Sequence, residues 1–184
     1  MNVTFITGNQ NKADYLAQLL GIEIAHQKVN LDEIQSTNLD EIVEHKVRQA
    51  YEIIKTPVLV EDVALGFTAL HDLPGPFIKF YVEQPDGLEA LCRMLDGFDD
   101  RSAVARCTYG YFDGTKVTYI HGVMQGHIAK HAAGNNGYGW DKIFIPNGYN
   151  GQTRAELGDD EYADSYRVSK AMDELKEFLV KTSR

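Results

Sequence analysis

The sequence predicts an α/β fold with a twisted, mixed β-sheet. Three observations carry this. Over the first third of the chain, short apolar runs alternate with helical patterns. In the middle, two alternating runs flank Asp113-Gly114, the dipeptide signature of a tight antiparallel hairpin. An amphipathic stretch then closes the chain. Strand–helix alternation favours parallel pairing and a hairpin requires antiparallel pairing, so a sheet holding both is mixed.

The elements follow in order. Met1 to Ile6 reads as a short buried strand. Lys12 to Leu20 reads as a helix, with Asn11 as N-cap and Gly21 as its stop. Ile22 to Lys28 suits a second strand, and Leu31 to Thr37 a polar loop. Asn38 caps a longer helix over Leu39 to Lys55, whose apolar stripe is Leu39, Ile42, Val43, Val47, Ala50, Tyr51 and Ile54. Pro57 ends it, and Val58 to Val60 is a short apolar strand. "LPGPF" at 73–77 is turn-rich, followed by helices over 77–84 and 86–95. Strands are expected at 102–112, 115–120 and 122–130, a loop at 134–139, and a closing helix over 168–180.

Composition narrows the function classes. A chain of 184 residues with 43% hydrophobic residues suits one globular domain with a real core. A formal net charge of −9 argues against a nucleic-acid backbone as main partner. It leaves room for a small phosphorylated ligand, which needs only a few local cations. Cys92 and Cys107 lack any CxxC or Cys/His spacing, so two reduced thiols are expected rather than a disulfide or zinc site. The chain opens on a strand-like run without a basic leader, and "PVLVEDVALGF" is interrupted by two carboxylates. A cytoplasmic protein is expected.

Four stretches carry candidate chemistry. In "FITGNQNK", an apolar run stops at a polar loop that enters a helix. Backbone N–H groups at such a helix start suit an anion, and Lys12 adds a full charge; an ordinary turn with Lys12 in water is the alternative. No Walker or GxSxG pattern is present. Lys46 shares a helix row with Ile42 and Ala50, so it must snorkel to water or meet a buried anion. Glu61 and Asp62 directly follow the Val58–Val60 run, where α/β sheets place ligands. Adjacent carboxylates would face opposite sides if the strand continues, one binding metal while the other orients water or a lysine. "GYGWD" at 137–141 offers aromatic faces about Gly139 for a planar base, or a core cluster beside a turn. Lys79 is a lone cation in "PFIKFY", either snorkelling or on phosphate. Glu33 reads as an exposed acid. Arg167 could pair with a carboxylate or read a base carbonyl. His127 and His131 lack any HExxH pattern and read as surface residues.

"TGNQNK" at 7–12, "VEDVAL" at 60–65, "LPGPFIKF" at 73–80, "GYGWDKIFIP" at 137–146 and "TRAEL" at 153–157 occur in that order. On these motifs the chain resembles the Ham1-like inosine triphosphate pyrophosphatases over essentially its whole length. The resemblance implies an elongated two-lobed α/β domain, its central twisted mixed sheet flanked by helices and its site in the cleft between the lobes. It implies magnesium-dependent hydrolysis of non-canonical purine nucleoside triphosphates (ITP, dITP, XTP) to monophosphate and pyrophosphate by a homodimer, with manganese as an alternative metal.

Residue by residue, the resemblance makes Thr7, Gly8, Asn9 and Lys12 the phosphate loop. Glu33 and Asp62 match metal-binding acids, with Glu61 beside them as a supplement. Lys46 and Lys79 match lysines on the triphosphate. Tyr138, Gly139, Trp140 and Asp141 match the nucleotide segment, with Tyr138 in place of the usual phenylalanine. Ser165 and Arg167 match the outer members of a Ser-His-Arg base-reading motif. Tyr166 replaces its histidine, and Glu161 stands where a ligand-contacting lysine is expected. Arg167 remains as a donor to a 6-oxo group, and the Tyr166 hydroxyl could donate as well.

The chemistry explains the residue types. A triphosphate repels an attacking hydroxide, and cations on carboxylates relieve that repulsion. Asp62 would align water for in-line attack on the α-phosphorus, while Lys12, Lys46 and Lys79 offset charge on pyrophosphate. Two other readings compete: a Maf-type pyrophosphatase acting on pyrimidine or modified nucleotides, and a nucleotide-binding module with reduced catalysis. "GYGWD" and "LPGPFIK" favour the purine enzyme over the first. Intact Glu33, Glu61, Asp62 and Lys46 speak against the second.

Overall fold

A computed structural model describes residues 3–21 and 23–182. Its elements divide into two compact units, one formed by Met1–Asp62, Cys107–Gly122 and Lys170–Arg184, the other by Val63–Arg106 and Val123–Ser169. Met1 and Asn2 of the first expected strand, and Ile22 of the second, lie outside the described residues.

In the first unit, β1 (Thr4–Ile6) pairs in parallel with β2 (Ala25–Gln27) and with the start of β3 (Val58–Phe67). Helices α1 (Gln10–Leu20) and α2 (Leu39–Ile54) make the two crossovers. Asn9, not Asn11, caps α1. Its extended backbone aims Oδ1 at the first turn, where it accepts from the Lys12 N–H at 3.3 Å. Gly21 stops the helix in the left-handed region, at φ 64°. Asn38 caps α2 as expected, and Asp40 and Glu41 place negative charge in its first turn, where the helix dipole favours it.

The expected stripe of α2 is its buried face. Val43, Val47 and Ala50 pack with Ile6, Val58, Val60 and Phe112. Gly110 makes this packing possible: a Cβ there would stand 2.2 Å from Val43 Cγ1. Strands β5 (Ser102–Phe112) and β6 (Val117–Ile128) flank the Asp113-Gly114 turn, in which Asp113 Oδ1 accepts from the Thr115 and Lys116 N–H groups. Helix α6 (Met172–Thr182) packs on α1, burying Met172, Leu175 and Leu179.

In the second unit, β4 (Leu73–Gly75) runs antiparallel to the end of β3, and β7 (Phe144–Pro146) antiparallel to the end of β6. Helices α3 (Ile78–Val82) and α4 (Gly87–Arg93) occupy the stretches expected to be helical. The core gathers Leu65, Phe67, Ile78, Leu91, Ile128 and Phe144. Strand order in the seven-stranded sheet is β2-β1-β3-β5-β6-β7, with β4 beside β3, so the sheet is mixed as expected.

Four further differences from the sequence expectation concern the bounds and number of elements. Strand β3 does not stop at Val60 but continues to Phe67, because the carboxylates within it meet ammonium partners. The two strands expected at 115–120 and 122–130 are one: residues from Ile120 to Ile128 alternate buried and exposed without a break at His121-Gly122. The Leu73–Gly75 turn segment pairs as β4. The single closing helix is two. Helix α5 (Asp159–Ser169) starts in the acidic run, where Asp159, Asp160 and Glu161 suit a helix N-terminus, and Ala171 at φ 46° separates it from α6. Cys92 and Cys107 are buried free thiols. Among the described residues, no helix is long and apolar enough to cross a membrane.

Candidate active site

The first unit holds the charged chemistry. Strand β1 ends at Ile6, and the loop tightens when the Asn9 N–H donates to Thr7 Oγ1 at 3.1 Å. Gly8 and Asn9 are exposed, and α1 starts immediately after them. Lys12, in its first turn, reaches Glu61 Oε1 at 3.1 Å. Lys170 reaches the same oxygen at 2.9 Å. The Glu61 side chain is only 2% exposed. Burial alone would raise its carboxyl, but Lys12 and Lys170 outweigh burial and hold it down to about 2. The Cys107 thiol is pushed up to about 12 by burial and by Glu61, so it stays neutral.

Asp62, the next residue on β3, meets a different cation. Lys46 Nζ donates to Asp62 Oδ2 at 2.5 Å and to Glu33 Oε1 at 3.0 Å. Lys46 therefore meets anions rather than snorkelling. Burial works against its charge, but Asp62 and Glu33 prevail and raise its pKa. Glu33 is exposed, as the sequence suggests, yet it is bonded. Neighbouring carboxylates thus go to separate clusters: Glu61 shares two ammoniums, while Asp62 and Glu33 share one.

The Asp62–Glu33 pair fits a hard divalent cation. Two carboxylates already converge on one positive point, and magnesium takes one or two carboxylates, keeping water and substrate phosphate for its other positions. Among the described residues there is no group of three or more His, Cys, Asp or Glu able to hold a metal.

The second unit holds an aromatic and hydrogen-bonded cluster. Asp141, 1% exposed, accepts from the Tyr138 N–H at 3.0 Å, the Tyr162 hydroxyl at 3.0 Å and the Tyr166 hydroxyl at 2.9 Å. Arg154 Nη1 lies 3.4 Å away, and its guanidinium stands 4.5 Å over the Tyr166 ring. Burial and Asp141 push the Tyr166 hydroxyl well above its ordinary pKa, so it remains a donor. Gly137, at φ 79°, is required here: a Cβ would lie 2.2 Å from Asp141 Oδ2. Tyr138 and Trp140 are half-buried and Gly139 is exposed. Ser165 Oγ donates to the Tyr162 carbonyl at 2.8 Å. Arg167 is half-buried in the last turn of α5. Lys79 is exposed on α3, 4.0 Å from Glu83. Glu161 is exposed in the first turn of α5, where it serves the helix dipole.

Three residues of these clusters escaped sequence reasoning. Lys170 falls at a helix junction with no periodic signal. Tyr162 lies within the acidic run. Arg154 belongs to the quoted "TRAEL" motif, but nothing local marks it as buried.

A family model described as the Ham1 family matches residues 3–178. The chain is 40% identical over 193 residues to an inosine triphosphate pyrophosphatase of Scheffersomyces stipitis, covering 97% of each. It is also 38% identical over 201 residues to the protein of that name from Candida albicans, with 97% of this chain and 98% of the other covered. A solved HAM1 protein from Coxiella burnetii superposes with a TM-score of 0.83 at 25% identity, covering 98% of this chain and all of that one. With the family model spanning nearly the whole sequence and relatives this similar from end to end, the chain belongs to the Ham1 family.

Proposed function

We propose that this protein hydrolyses non-canonical purine nucleoside triphosphates, such as ITP, dITP and XTP, to the monophosphate and pyrophosphate, removing them from the nucleotide pool. Family membership and the activity named for its relatives support this substrate class. The observation that carries the chemistry is the partition of Glu61 and Asp62 between an ammonium-rich and a carboxylate-rich cluster. A triphosphate needs both kinds of environment: cations for its oxygens, and acids for a metal and the attacking water.

Magnesium, or manganese, is the proposed cofactor, held by Glu33 and Asp62; Glu61, matched as a supplementary acid, is taken up by Lys12 and Lys170 instead. Once bound, the metal would neutralise phosphate charge. Asp62 would orient water toward the α-phosphorus and accept its proton. Thr7, Gly8, Asn9 and Lys12 would cradle phosphate oxygens, and Lys12, Lys46 and Lys79 would offset charge on the departing pyrophosphate. Lys170, sharing the Glu61 carboxylate with Lys12, joins this set.

Tyr138, Gly139 and Trp140 would stack on the base, with Ser165, Tyr166 and Arg167 beside it. Arg167 is the proposed donor to the 6-oxo group; the Tyr166 hydroxyl, which donates to Asp141, supports from behind. A donor facing a carbonyl rejects the 6-amino group of ATP, and such sites discriminate by up to about 10⁴–10⁵. A homodimeric, cytoplasmic enzyme completes the proposal. The test is pyrophosphate release from a panel of nucleoside triphosphates with and without magnesium. Release from ITP and XTP well above ATP is expected, and only with the metal; release from none of them would leave a binding module.

A further inference from the structure

We infer that Arg154 is a positioning residue for the nucleobase, and that Asp141 acts on the base through the loop it holds rather than by touching it. The inference rests on the purine-triphosphate reading. A carboxylate offers about four acceptor sites, and Asp141 already takes four donors: the Tyr138 N–H, the Tyr162 and Tyr166 hydroxyls, and Arg154 Nη1. At 1% exposed, it presents neither carboxylate oxygen to a base.

Arg154 is where that hub is anchored. It is 3% exposed, with its guanidinium 4.5 Å from the Tyr166 ring centroid and 5.3 Å from that of Phe144. A buried cation between two aromatic faces, next to one carboxylate, has few alternative placements. Its backbone is equally fixed. Thr153 and Glu156 cap the short 3-10 turn over Arg154–Glu156 reciprocally. Thr153 Oγ1 donates to the Ala133 carbonyl at 2.9 Å, the Asn135 and Asn136 N–H groups donate to the Ala155 carbonyl at 3.0 Å, and the Ala155 N–H donates to the Asp141 carbonyl at 3.1 Å. This turn therefore grips the segment 133–141 at both ends, and Arg154 fixes the side chain that holds Tyr138 from within. The aromatic pair proposed to stack on the base is carried between those grips.

The test uses the chain's only tryptophan, Trp140, as a fluorescent reporter of the loop. ITP and inorganic tripolyphosphate, which has no base, are titrated against wild type, Arg154→Met and Arg154→Lys. Arg154→Met should weaken ITP binding about tenfold, roughly the worth of one base–aromatic stack, and leave tripolyphosphate binding unchanged. The matching kinetic signature is a raised KM for ITP with kcat held. Arg154→Lys keeps the charge but not the planar stack and should fall between. Equal weakening of both ligands, or of neither, would overturn the inference. If Arg154→Met does not fold, Arg154→Met with Asp141→Asn removes the buried pair together. Base affinity that stays weak in that double variant supports positioning, and affinity restored to wild type refutes it. Wild-type protein that binds ITP but releases no pyrophosphate would sink the hydrolase reading while leaving these binding comparisons intact.

Discussion

Glu61→Gln keeps the size of a buried side chain and removes its charge, leaving Lys12 and Lys170 facing each other without their carboxylate. The two ammoniums hold the Glu61 carboxyl at about 2, against an ordinary value of 4.5. At about 1.4 kcal/mol per pKa unit, that difference corresponds to roughly 3 kcal/mol of stability at neutral pH. The figure agrees with the roughly 3–5 kcal/mol lost when one partner of a buried ion pair is removed. Because the folded-state pKa is depressed, this stabilisation is fully present above pH 4.5 and disappears as pH falls from 4.5 to about 2. Urea unfolding of wild type and Glu61→Gln between pH 7 and pH 3 reads it directly. The gap should be roughly 3 kcal/mol from pH 7 to about pH 5, or about 6–12 °C in Tm for a chain of this size, and should narrow below pH 4.5. A gap under about 1 kcal/mol at pH 7, or one as wide at pH 3 as at pH 7, would refute the assignment of both lysines to Glu61.

Asp62→Asn should lower ITP turnover by roughly 10²–10⁴ with little change in ITP binding, since it removes a base and metal ligand but keeps the shape; near-wild-type kcat would refute its role. Arg167→Ala should lower kcat/KM for ITP far more than for ATP, and an unchanged ITP/ATP ratio would argue against base reading. Gly110→Ala should destabilise by about 1–3 kcal/mol in urea melts, because its Cβ would meet Val43 Cγ1 at 2.2 Å; pairing it with Val43→Ala should recover part of the loss.

What the sequence by itself determined is what short-range pattern encodes. Asn38 and the apolar stripe behind it specify α2, because helix periodicity and capping are settled within a few residues. Asp113-Gly114 specifies the hairpin for the same reason. Five ordered motifs specify the family, and they also mark Lys12, Asp62 and Lys79, while Lys46 is marked by its place in the apolar row of α2. The alternation from Ile120 to Ile128 is written in the sequence too, with His121 at an exposed and Gly122 at a buried position.

Only the tertiary structure decided how those charges divide. Glu61 and Asp62 are adjacent in sequence, but alternation along a strand sends them to opposite sides, and which lysine waits on each side depends on distant chain. Lys170 is 109 residues from the carboxylate it binds. Arg154 and Tyr166 reach Asp141 from 13 and 25 residues away, and their hydrogen bonds make it the hub of a buried network. Helix α5 grows from an acidic run without an apolar stripe, because its stability comes from the dipole at its start and from Ser165, Tyr166 and Ser169 buried near its end. Local pattern fixes which residues a segment offers to the core. Ion pairs and hydrogen bonds between remote segments form only once packing has brought them together, so partners at that separation leave no trace in the order of residues around either one.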